Sequence, residues 1–357
     1  MTRISRAFLI SLALSASVAA GIAHADTYNL RLASGLGESH PSSKTTEYWA
    51  KKVEELSNGR IKISMTWGGA LLPSTEVMPG AGDGRVDLGT FSVAWHPAEL
   101  PLSYLSTAPF LTTNGEAAAR AMTEIYRTDE KFRQNYEQQG VHLIMFQPLD
   151  ILLIAGKTLF DKPETLRGKQ IRLVGDAQDI LPKVGAQPIS IAYEETYESL
   201  ERGVIDGHAM NFEGIVDIRT DEVAKNMVDA GIGQVTAMNL VISSDVWADF
   251  SDEDKKIIED ATADTFDNMS QIYRDLNSAH CDGMVAQGAN FFSWSDEDKA
   301  FWRDASAQEQ IDKWTAKQSD KAYAAEFLDR YKTLMAEFGE TSTWESAFAI
   351  CSAKQGN

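Results

Sequence analysis

The sequence predicts an α/β fold with two domains, and three observations support this prediction. The chain has 357 residues, which is enough for two domains of ordinary size. Residues 166–207 alternate between short apolar segments and helical segments in the order β-α-β-α-β, which predicts a parallel sheet. Hydrophobic residues make up 43% and charged residues 24% of the chain, which is typical of a globular protein.

The first 25 residues have the pattern of a secretory signal peptide. Arg3 and Arg6 form a basic start, residues 7–22 are apolar, and Ala23-His24-Ala25 fits the small-x-small cleavage pattern. The alternative is a retained membrane anchor, but the apolar run is shorter than the roughly 20 residues that a membrane span needs. We therefore expect a chain that is exported through a cleaved signal peptide and that has no direct membrane insertion.

The charge of the chain restricts its partners. The formal net charge is −19, and loss of residues 1–25 removes two arginines and no acids, which leaves −21. Such a surface repels nucleic acids and anionic membranes. A small anionic ligand is still compatible with this charge, because a buried arginine acts locally.

The first part of the chain predicts strands that alternate with helices. In residues 60–66, Ile61, Ile63 and Met65 alternate with polar side chains, as in a half-buried strand. Ser42 or Ser43 is expected to cap the preceding helix. The predicted strands of this part are 28–33, 60–66, 86–91 and 141–146, and the predicted helices are 42–56, 75–84 and 116–139.

The second part begins with an apolar strand at 150–155, which we expect to cross between the domains. Residues 239–243 return the chain to the first domain, and the remainder is mostly helical. We expect four tryptophans to pack these last helices onto the rest of the protein: Trp294, Trp302, Trp314 and Trp344. The predicted strands are 170–174, 188–191 and 204–207, and the predicted helices are 179–184, 195–201, 252–290, 295–338 and 341–353.

The two cysteines, Cys281 and Cys351, predict one disulfide. In an exported protein an isolated pair is typically oxidised, and this bond would tie the C-terminal tail to an earlier helix. Two free buried thiols are the alternative. Neither cysteine belongs to a Cys-x-x-Cys pair, so a zinc site is not expected.

Arg172 is the most informative charged residue of the chain. It lies in a predicted strand between Ile171 and Leu173, which share one face while Arg172 points to the other. One interpretation is an intramolecular salt bridge, to Asp176 or Glu194. The other is a guanidinium directed into a cleft, where it holds a ligand carboxylate through two parallel hydrogen bonds.

An ordered set of short motifs around Arg172 decides between these interpretations. The motifs are Gly168-Lys169-x-x-Arg172, Gly185-Ala186-x-Pro188, Tyr193 with Glu195 after it, and Leu200-x-x-Gly203-Val204-x-Asp206-Gly207. No single motif is specific, but the ordered set resembles the solute-binding proteins of tripartite ATP-independent periplasmic (TRAP) transporters, and the resemblance extends to about residue 300.

The resemblance implies a two-lobed periplasmic binding protein. Each lobe is expected to be a sheet flanked by helices, with crossing strands at the hinge and long C-terminal helices. Lobe I would comprise residues 26–149 and 240–280, lobe II residues 150–239 with the carboxylate-binding arginine, and residues 281–357 would pack on both lobes.

The resemblance also implies a set of ligand-binding residues. The arginine at the position of Arg172 binds the ligand carboxylate, the aromatic residue at Tyr193 packs on the ligand, and the loop at Gly35 is a further contact. Relatives use an asparagine four residues after the aspartate of the Asp-Gly motif, where this chain has Met210, so that Asn211 or Met210 is expected to replace it.

Other departures from the family pattern predict an apolar pocket. Sialic-acid-binding relatives carry a second arginine at the position of Leu152 and a glutamate near Ser92. Here Phe91, Trp95 and Met210 are expected to line the pocket instead. We therefore expect a small monocarboxylate with an apolar or aromatic part. Glu213 and Gln147 are of the type that would hold a bridging metal, but no motif indicates one, and no cofactor is expected.

The sequence thus predicts a solute receptor and not an enzyme. Its expected partners are a small organic acid and the permease subunits of a TRAP transporter. The alternatives are a binding protein of an ATP-driven importer or a sensor kinase, and a secreted α/β hydrolase. Hydrolase and nucleotide motifs are absent: there is no Gly-x-Ser-x-Gly elbow, and Ile151 stands where a phosphate-binding loop requires glycine.

Overall fold

The computed structural model describes residues 26–235 and 237–356. The predicted signal peptide, residues 1–25, lies outside the described residues. The described strands are β1 (Tyr28–Ser34), β2 (Ile61–Thr66), β3 (Leu88–Ser92), β4 (Val141–Gln147), β5 (Leu152–Gly156), β6 (Gln170–Arg172), β7 (Gln187–Ile189), β8 (Gly207–Asn211), β9 (Asn226–Asp229), β10 (Met238–Ser243) and β11 (Asn290–Ser293).

Most of the remaining chain is helical. The α-helices are α1 (Pro41–Leu56), α2 (Val77–Gly82), α3 (Gly115–Thr128), α4 (Glu130–Glu137), α5 (Thr196–Glu201), α6 (Phe212–Asp217), α7 (Ser244–Asp249), α8 (Asp252–Ala286), α9 (Asp296–Lys317), α10 (Lys321–Gly339) and α11 (Ala347–Gln355). Short 3-10 helices occur at Ser74–Glu76, Val93–Trp95, Ser103–Thr107, Pro163–Leu166, Asp176–Val184, Tyr193–Glu195 and Thr220–Glu222.

The described strands form two sheets, and each sheet is the centre of one lobe. The first sheet has the order β2-β1-β3-β10-β4, with β10 antiparallel to both neighbours. The second has the order β11-β9-β5-β8-β6-β7, with β6 parallel to β7 and β8. Below, "first lobe" and "second lobe" mean these sheets with the helices packed on them. The predicted two-lobed α/β class is confirmed, whereas the predicted lobe boundaries stay a prediction.

The described chain passes between the lobes five times, the last time between α10, which packs in the core of the first lobe, and α11, which packs in the core of the second. It crosses from β4 to β5, and returns from β9 to β10. Helix α8 then packs on α1 of the first lobe near its start and on α11 near its end, where Cys281 and Met284 join the core of the second lobe. Helix α9 begins in the second lobe and ends against the first.

Two tryptophans fix α9 to both lobes. Trp302 Nε1 donates to the carbonyl oxygen of Ile180 in the second lobe at 2.8 Å, and Trp314 Nε1 donates to that of Pro101 in the first lobe at 2.9 Å. Both indoles are buried. These bonds explain why the helix needs tryptophan, which combines a large apolar area with one donor.

Several predicted elements are wrong in their extent. The predicted helix 116–139 is two helices, because Asp129 is extended and its side chain caps α4 by accepting from the amide of Phe132. The predicted strand 204–207 is a turn after Gly203, whose φ is 73°, and β8 begins only at Gly207. The α1 cap is His40, whose Nδ1 accepts from the amide of Ser42, and not Ser42 or Ser43.

The C-terminal third is also more divided than predicted. The predicted helix 252–290 ends at Ala286, and Asn290–Ser293 forms an edge strand of the second sheet. The predicted helix 295–338 is interrupted, because Asp320 caps a new helix by accepting from the amide of Tyr323. Strand β9 was not predicted, because its four residues are too few to show an alternation of apolar and polar side chains.

The disulfide prediction is confirmed. Cys281 on α8 and Cys351 on α11 are bonded, both are fully buried, and their Cα atoms are 4.9 Å apart. The bond lies in the apolar core between these two helices and the second sheet. It therefore attaches the end of the chain to the helix that also contacts the first lobe.

We expect replacement of both cysteines by serine to destabilise the protein markedly. The bond closes a loop over a sequence separation of 70 residues, for which the loop-entropy relation gives about 4 kcal/mol. Urea unfolding of the oxidised protein and of the Cys281→Ser, Cys351→Ser variant measures the difference. Equal free energies of unfolding would contradict the prediction.

Candidate functional site

The second sheet places Arg172 at the end of β6 with its side chain on the face opposite to Ile171 and Leu173. Those two neighbours belong to an apolar core on one side of the sheet. Arg172 is 5% exposed and pairs in register with His208 of β8. A parallel sheet collects the carboxyl ends of its strands at one edge, which is where ligands bind in open α/β sheets.

The guanidinium of Arg172 has no counter-ion among the described residues. Asp176, one of the two predicted salt-bridge partners, is ion-paired with Lys317 instead, and no carboxylate lies within 4.0 Å of Arg172. Its Nε donates to the carbonyl oxygen of Ile191 at 3.3 Å. The two terminal nitrogens are thus left for another acceptor, in the arrangement that suits a carboxylate.

The burial of Arg172 changes the pKa of its guanidinium. Desolvation lowers the pKa of Arg172 from its usual value, while Tyr193 and Glu194 act in the opposite direction. An arginine nevertheless stays protonated at ordinary pH. A buried positive charge without a partner is costly, and an anionic ligand would remove that cost.

Tyr193 lies at the start of the 3-10 helix Tyr193–Glu195, two residues after the carbonyl that holds Arg172. Its hydroxyl lies 2.9 Å from Asp217 Oδ2 and 3.3 Å from the carbonyl oxygen of Gly214, both in α6. Burial, followed by the charge of Asp217, raises the pKa of Tyr193. The ring is 37% exposed, so it remains available for contact.

Strand β8 supplies the two residues that were predicted as alternatives. Met210 is 4% exposed and belongs to an apolar cluster with Leu153 and Phe212. The amide of Asn211 is half-buried and donates to Glu213 Oε2 at 2.8 Å. Met210 is therefore part of the second lobe's core, and Asn211 is the more accessible of the two. Their roles toward a ligand stay predictions.

His208 is a buried strand residue that the sequence did not single out as a ligand. It is fully buried, and neither ring nitrogen has a hydrogen-bond partner among the described residues. Burial and the charge of Arg172 lower its pKa to about 3, so the ring is neutral at ordinary pH. A neutral ring beside Arg172 adds no second positive charge to the site.

The predicted contacts of the first lobe lie at the end of β3 and in the loop after β1. Ser92 is buried and its hydroxyl accepts from the amide of Ala94, while Phe91 is fully buried and packs edge-to-face on His96. Trp95 is 38% exposed and lines a groove of about 670 Å³ whose lining residues all belong to the first lobe. The structure therefore places Phe91 in the core. The ligand contacts expected of Phe91, Ser92 and Trp95 stay predictions.

Gly35 occupies a position that has room for no side chain. A Cβ atom there would lie 1.8 Å from Ser74 Oγ, far inside van der Waals contact. The loop is held further by the side chain of Ser43, which donates to the carbonyl oxygen of Gly37 at 2.8 Å. The loop that contains Gly35 is thus held in one conformation, and a ligand contact at Gly35 stays a prediction.

Two buried acids at the crossing between the lobes were not recognised as a pair from the sequence. Glu213 accepts from the amide of Asp150 at 3.1 Å and from Asn211. Asp150 accepts from its neighbour Ile151 at 2.7 Å, from Asn277 of α8 at 3.3 Å and from the amide of Ala347 of α11 at 2.6 Å. This pair joins the crossing segment, α6, α8 and α11.

Glu213 and Gln147, the two residues whose type would suit a bridging metal, differ in their contacts. Both oxygens of Glu213 accept hydrogen bonds, whereas Gln147 donates through Nε2 to Thr46 Oγ1 at 2.9 Å and its Oε1 has no hydrogen-bond partner among the described residues. No group of three or more histidine, cysteine, aspartate or glutamate side chains in the described part of the chain is placed to hold a metal ion.

A comparison with protein families identifies the chain. The family model described as "Bacterial extracellular solute-binding protein, family 7" matches residues 32–318. The chain belongs to this family. It is a solute-binding protein of the TRAP type, and the resemblance predicted from the motifs around Arg172 is confirmed.

Curated relatives of this solute-binding protein are distant but extend over most of its length. The sialic acid-binding periplasmic protein SiaP of Vibrio cholerae is 24% identical over 292 residues, or 78% of this chain and 86% of SiaP. The C4-dicarboxylate-binding periplasmic protein DctP of the same species is 22% identical, over 75% of this chain and 80% of DctP.

Solved structures share the fold. A TRAP solute-binding protein from Rhodoferax ferrireducens T118, in complex with copurified benzoate, superposes with a TM-score of 0.76 at 18% identity, covering 88% of this chain and 99% of that one. A TRAP protein from Desulfovibrio salexigens DSM2638, an open complex, has the same TM-score at 22% identity, covering 88% and 98%.

Membership of this family places the chain among periplasmic solute receptors and not in an enzyme class. Helices of the described part of the chain offer no stretch that is long and apolar enough to cross a membrane.

We expect the buried acid pair to make stability depend on pH. Burial raises the pKa of Asp150, and the negative charge of Glu213 raises the same pKa to a lesser degree. Burial also raises the pKa of Glu213. Groups with a raised pKa bind protons more tightly when folded. Their contribution is therefore present at acidic pH and is lost as the pH rises through the raised values, at about 1.4 kcal/mol per pKa unit.

Urea unfolding of wild type and Glu213→Gln between pH 4 and 8 tests this expectation. The variant removes one titrating group but keeps an acceptor for the amide of Asp150, so its loss of stability with rising pH should be smaller. Glu198→Gln, at an exposed position of α5, serves as the control. Parallel curves for wild type and Glu213→Gln would show that the pair does not titrate in this range.

Proposed function

We propose that this protein binds a small monocarboxylate with an apolar or aromatic part between its lobes and delivers it to the permease of a TRAP transporter. The observation that carries the proposal is the guanidinium of Arg172, which is 5% exposed and has no counter-ion among the described residues. A carboxylate bound to its two free nitrogens would supply the missing negative charge and fix the orientation of the ligand.

The absence of a second arginine supports a ligand that is apolar beyond its carboxylate. By the resemblance, Leu152 stands where sialic-acid-binding relatives have a second arginine, and its side chain lies in the apolar core on the Ile171 side of the sheet, away from the face of Arg172. Tyr193 offers a half-exposed ring close by. Within the described residues, no second unpaired cation in this part of the second sheet calls for a second carboxylate.

The bound ligands of structurally similar proteins are compatible with this class but do not decide it. One TRAP protein from a marine metagenome is specific for aromatic acid ligands, and it superposes with a TM-score of 0.75 at 20% identity. Others hold D-glucuronate or β-D-galacturonate. All contain a carboxylate, which agrees with the role proposed for Arg172.

The required affinity sets how much each part of the ligand must contribute. Micromolar binding corresponds to about −8 kcal/mol. A charge-assisted hydrogen bond supplies about 1.5–3 kcal/mol, so the apolar part must supply most of the remainder at about 25 cal/mol per Å² buried. An acid that lacks an apolar part should therefore bind weakly.

Binding would favour the closed arrangement of the lobes. The ligand contacts Arg172 and Tyr193 in the second lobe and the loop at Gly35 in the first, so it gains both sets of contacts only when the lobes meet. The ligand can shift the equilibrium toward the closed form only by as much as it binds the closed form more tightly than the open form. Permease subunits would then recognise the closed surface, in the periplasm, after export and removal of residues 1–25.

We expect aromatic and apolar monocarboxylates to raise the melting temperature of the chain from Asp26 onward. A ligand at 100 times its dissociation constant stabilises the folded state by about 2.7 kcal/mol. Differential scanning fluorimetry with a panel that includes benzoate, acetate, succinate and D-glucuronate measures the shift and its selectivity.

The shift should disappear in Arg172→Ala and be reduced in Arg172→Lys, because lysine cannot form two parallel hydrogen bonds. Arg202→Ala is a matched control, since Arg202 lies in the same lobe, is 68% exposed and pairs with Glu198. A shift that persists in Arg172→Ala would overturn the proposed function.

A further inference from the structure

The hydroxyl of Tyr193 is committed to the protein. It lies 2.9 Å from Asp217 Oδ2 and 3.3 Å from the carbonyl oxygen of Gly214. A tyrosine hydroxyl carries one hydrogen, and both of these oxygens only accept hydrogen bonds. That hydrogen therefore points to α6 and cannot be donated to a ligand, so the main surface that Tyr193 offers is its ring.

Asp217 determines where this ring lies. It is the last residue of α6, and its bond to Tyr193 connects two segments that are 24 residues apart in the sequence. Tyr193 is 37% exposed, and packing alone leaves such a ring several orientations. A hydrogen bond to an ionised acceptor is shorter and stronger than one between neutral groups, so the carboxylate holds the ring more firmly than Gly214 alone.

The same carboxylate lies where the lobes meet. A Cβ atom on Gly37, in the loop after β1, would be 3.6 Å from Asp217 Oδ1, which is ordinary van der Waals contact. One oxygen of Asp217 thus holds Tyr193, while the other faces the first lobe. Asp217 also makes the vicinity of the ring negative, which disfavours a second carboxylate or phosphate there.

We propose that Asp217 is a positioning residue of the ligand site: it fixes the Tyr193 ring beside Arg172, so that the site selects acids whose apolar part is flat. This proposal rests on the proposed function. It adds that Asp217 determines the selectivity of the site for the apolar part of the ligand. Asp217 acts through Tyr193, and it does not itself bind the ligand.

Isothermal titration with benzoate and D-glucuronate tests the proposal in four variants: Asp217→Ala, Asp217→Asn, Tyr193→Phe, and the double variant Asp217→Ala, Tyr193→Phe. Asp217→Ala should weaken benzoate binding about fivefold to tenfold, and Tyr193→Phe by a similar factor. The double variant should lose no more than either single variant, because both remove the same bond. Asp217→Asn keeps an acceptor for the hydroxyl and should stay within about threefold of wild type.

Selectivity separates positioning from a general structural role. The preference for benzoate over D-glucuronate should fall in Asp217→Ala and return in Asp217→Asn, whereas a merely destabilised protein would lose both affinities together. A matched tyrosine–carboxylate pair lies elsewhere in the second lobe, where Tyr197 donates to Glu222 at 3.3 Å. Glu222→Ala and Tyr197→Phe should leave both affinities unchanged.

Two results would overturn the proposal while leaving the proposed function intact: wild-type affinity for benzoate in Asp217→Ala, or losses in the two single variants that multiply in the double variant. Failure of every acid to bind the wild type, or binding that survives Arg172→Ala, would overturn the proposed function and this proposal with it. Melting temperatures of the unliganded variants confirm folding, which is expected because Asp217 is exposed.

Discussion

The structure depends on one electrostatic constraint: a guanidinium is held in the second lobe without a counter-ion among the described residues. Arg172 is 5% exposed, one of its nitrogens is satisfied by the carbonyl oxygen of Ile191, and Asp176, one of its two predicted acidic partners, is paired with Lys317. On the opposite face of the sheet, its neighbours Ile171 and Leu173 pack in an apolar core. Burial of this charge without a partner has a free-energy cost, and the anion proposed to bind there would remove it.

The second feature is the set of connections that keeps the chain continuous between the two lobes. Helices α8 and α9 each contact both lobes, and the segments between β4 and β5 and between β9 and β10 run between the sheets. The buried carboxylates of Asp150 and Glu213 lie at this crossing and receive hydrogen bonds from four segments. Polar groups suit such a place, because directional bonds specify one arrangement where apolar packing would tolerate several.

Sequence reasoning was accurate where a signal is local or where an ordered set of motifs exists. The alternation of Ile61, Ile63 and Met65 predicted β2, and the motifs around Arg172 predicted the family and the two-lobed fold. It failed where a single polar residue divides a helix, as at Asp129 and Asp320. An acid inside an amphipathic pattern can cap a new helix or lie within a continuous one, and the sequence does not distinguish these cases. The bonds of Asp150 to Glu213 and of Tyr193 to Asp217 join residues 63 and 24 positions apart, and no local pattern encodes such pairs.

The disulfide has a consequence for where this protein becomes functional. Helix α11 donates the amide of Ala347 to the carboxylate of Asp150, and Cys351 of the same helix is bonded to Cys281. One part of the crossing between the lobes, helix α11, is therefore held by a disulfide bond. Disulfides form and persist in oxidising compartments and are rare in the cytosol. A copy retained in the cytosol would hold α11 only by packing and by hydrogen bonds such as that of Ala347 to Asp150, so the finished hinge is a product of the compartment as well as of the sequence.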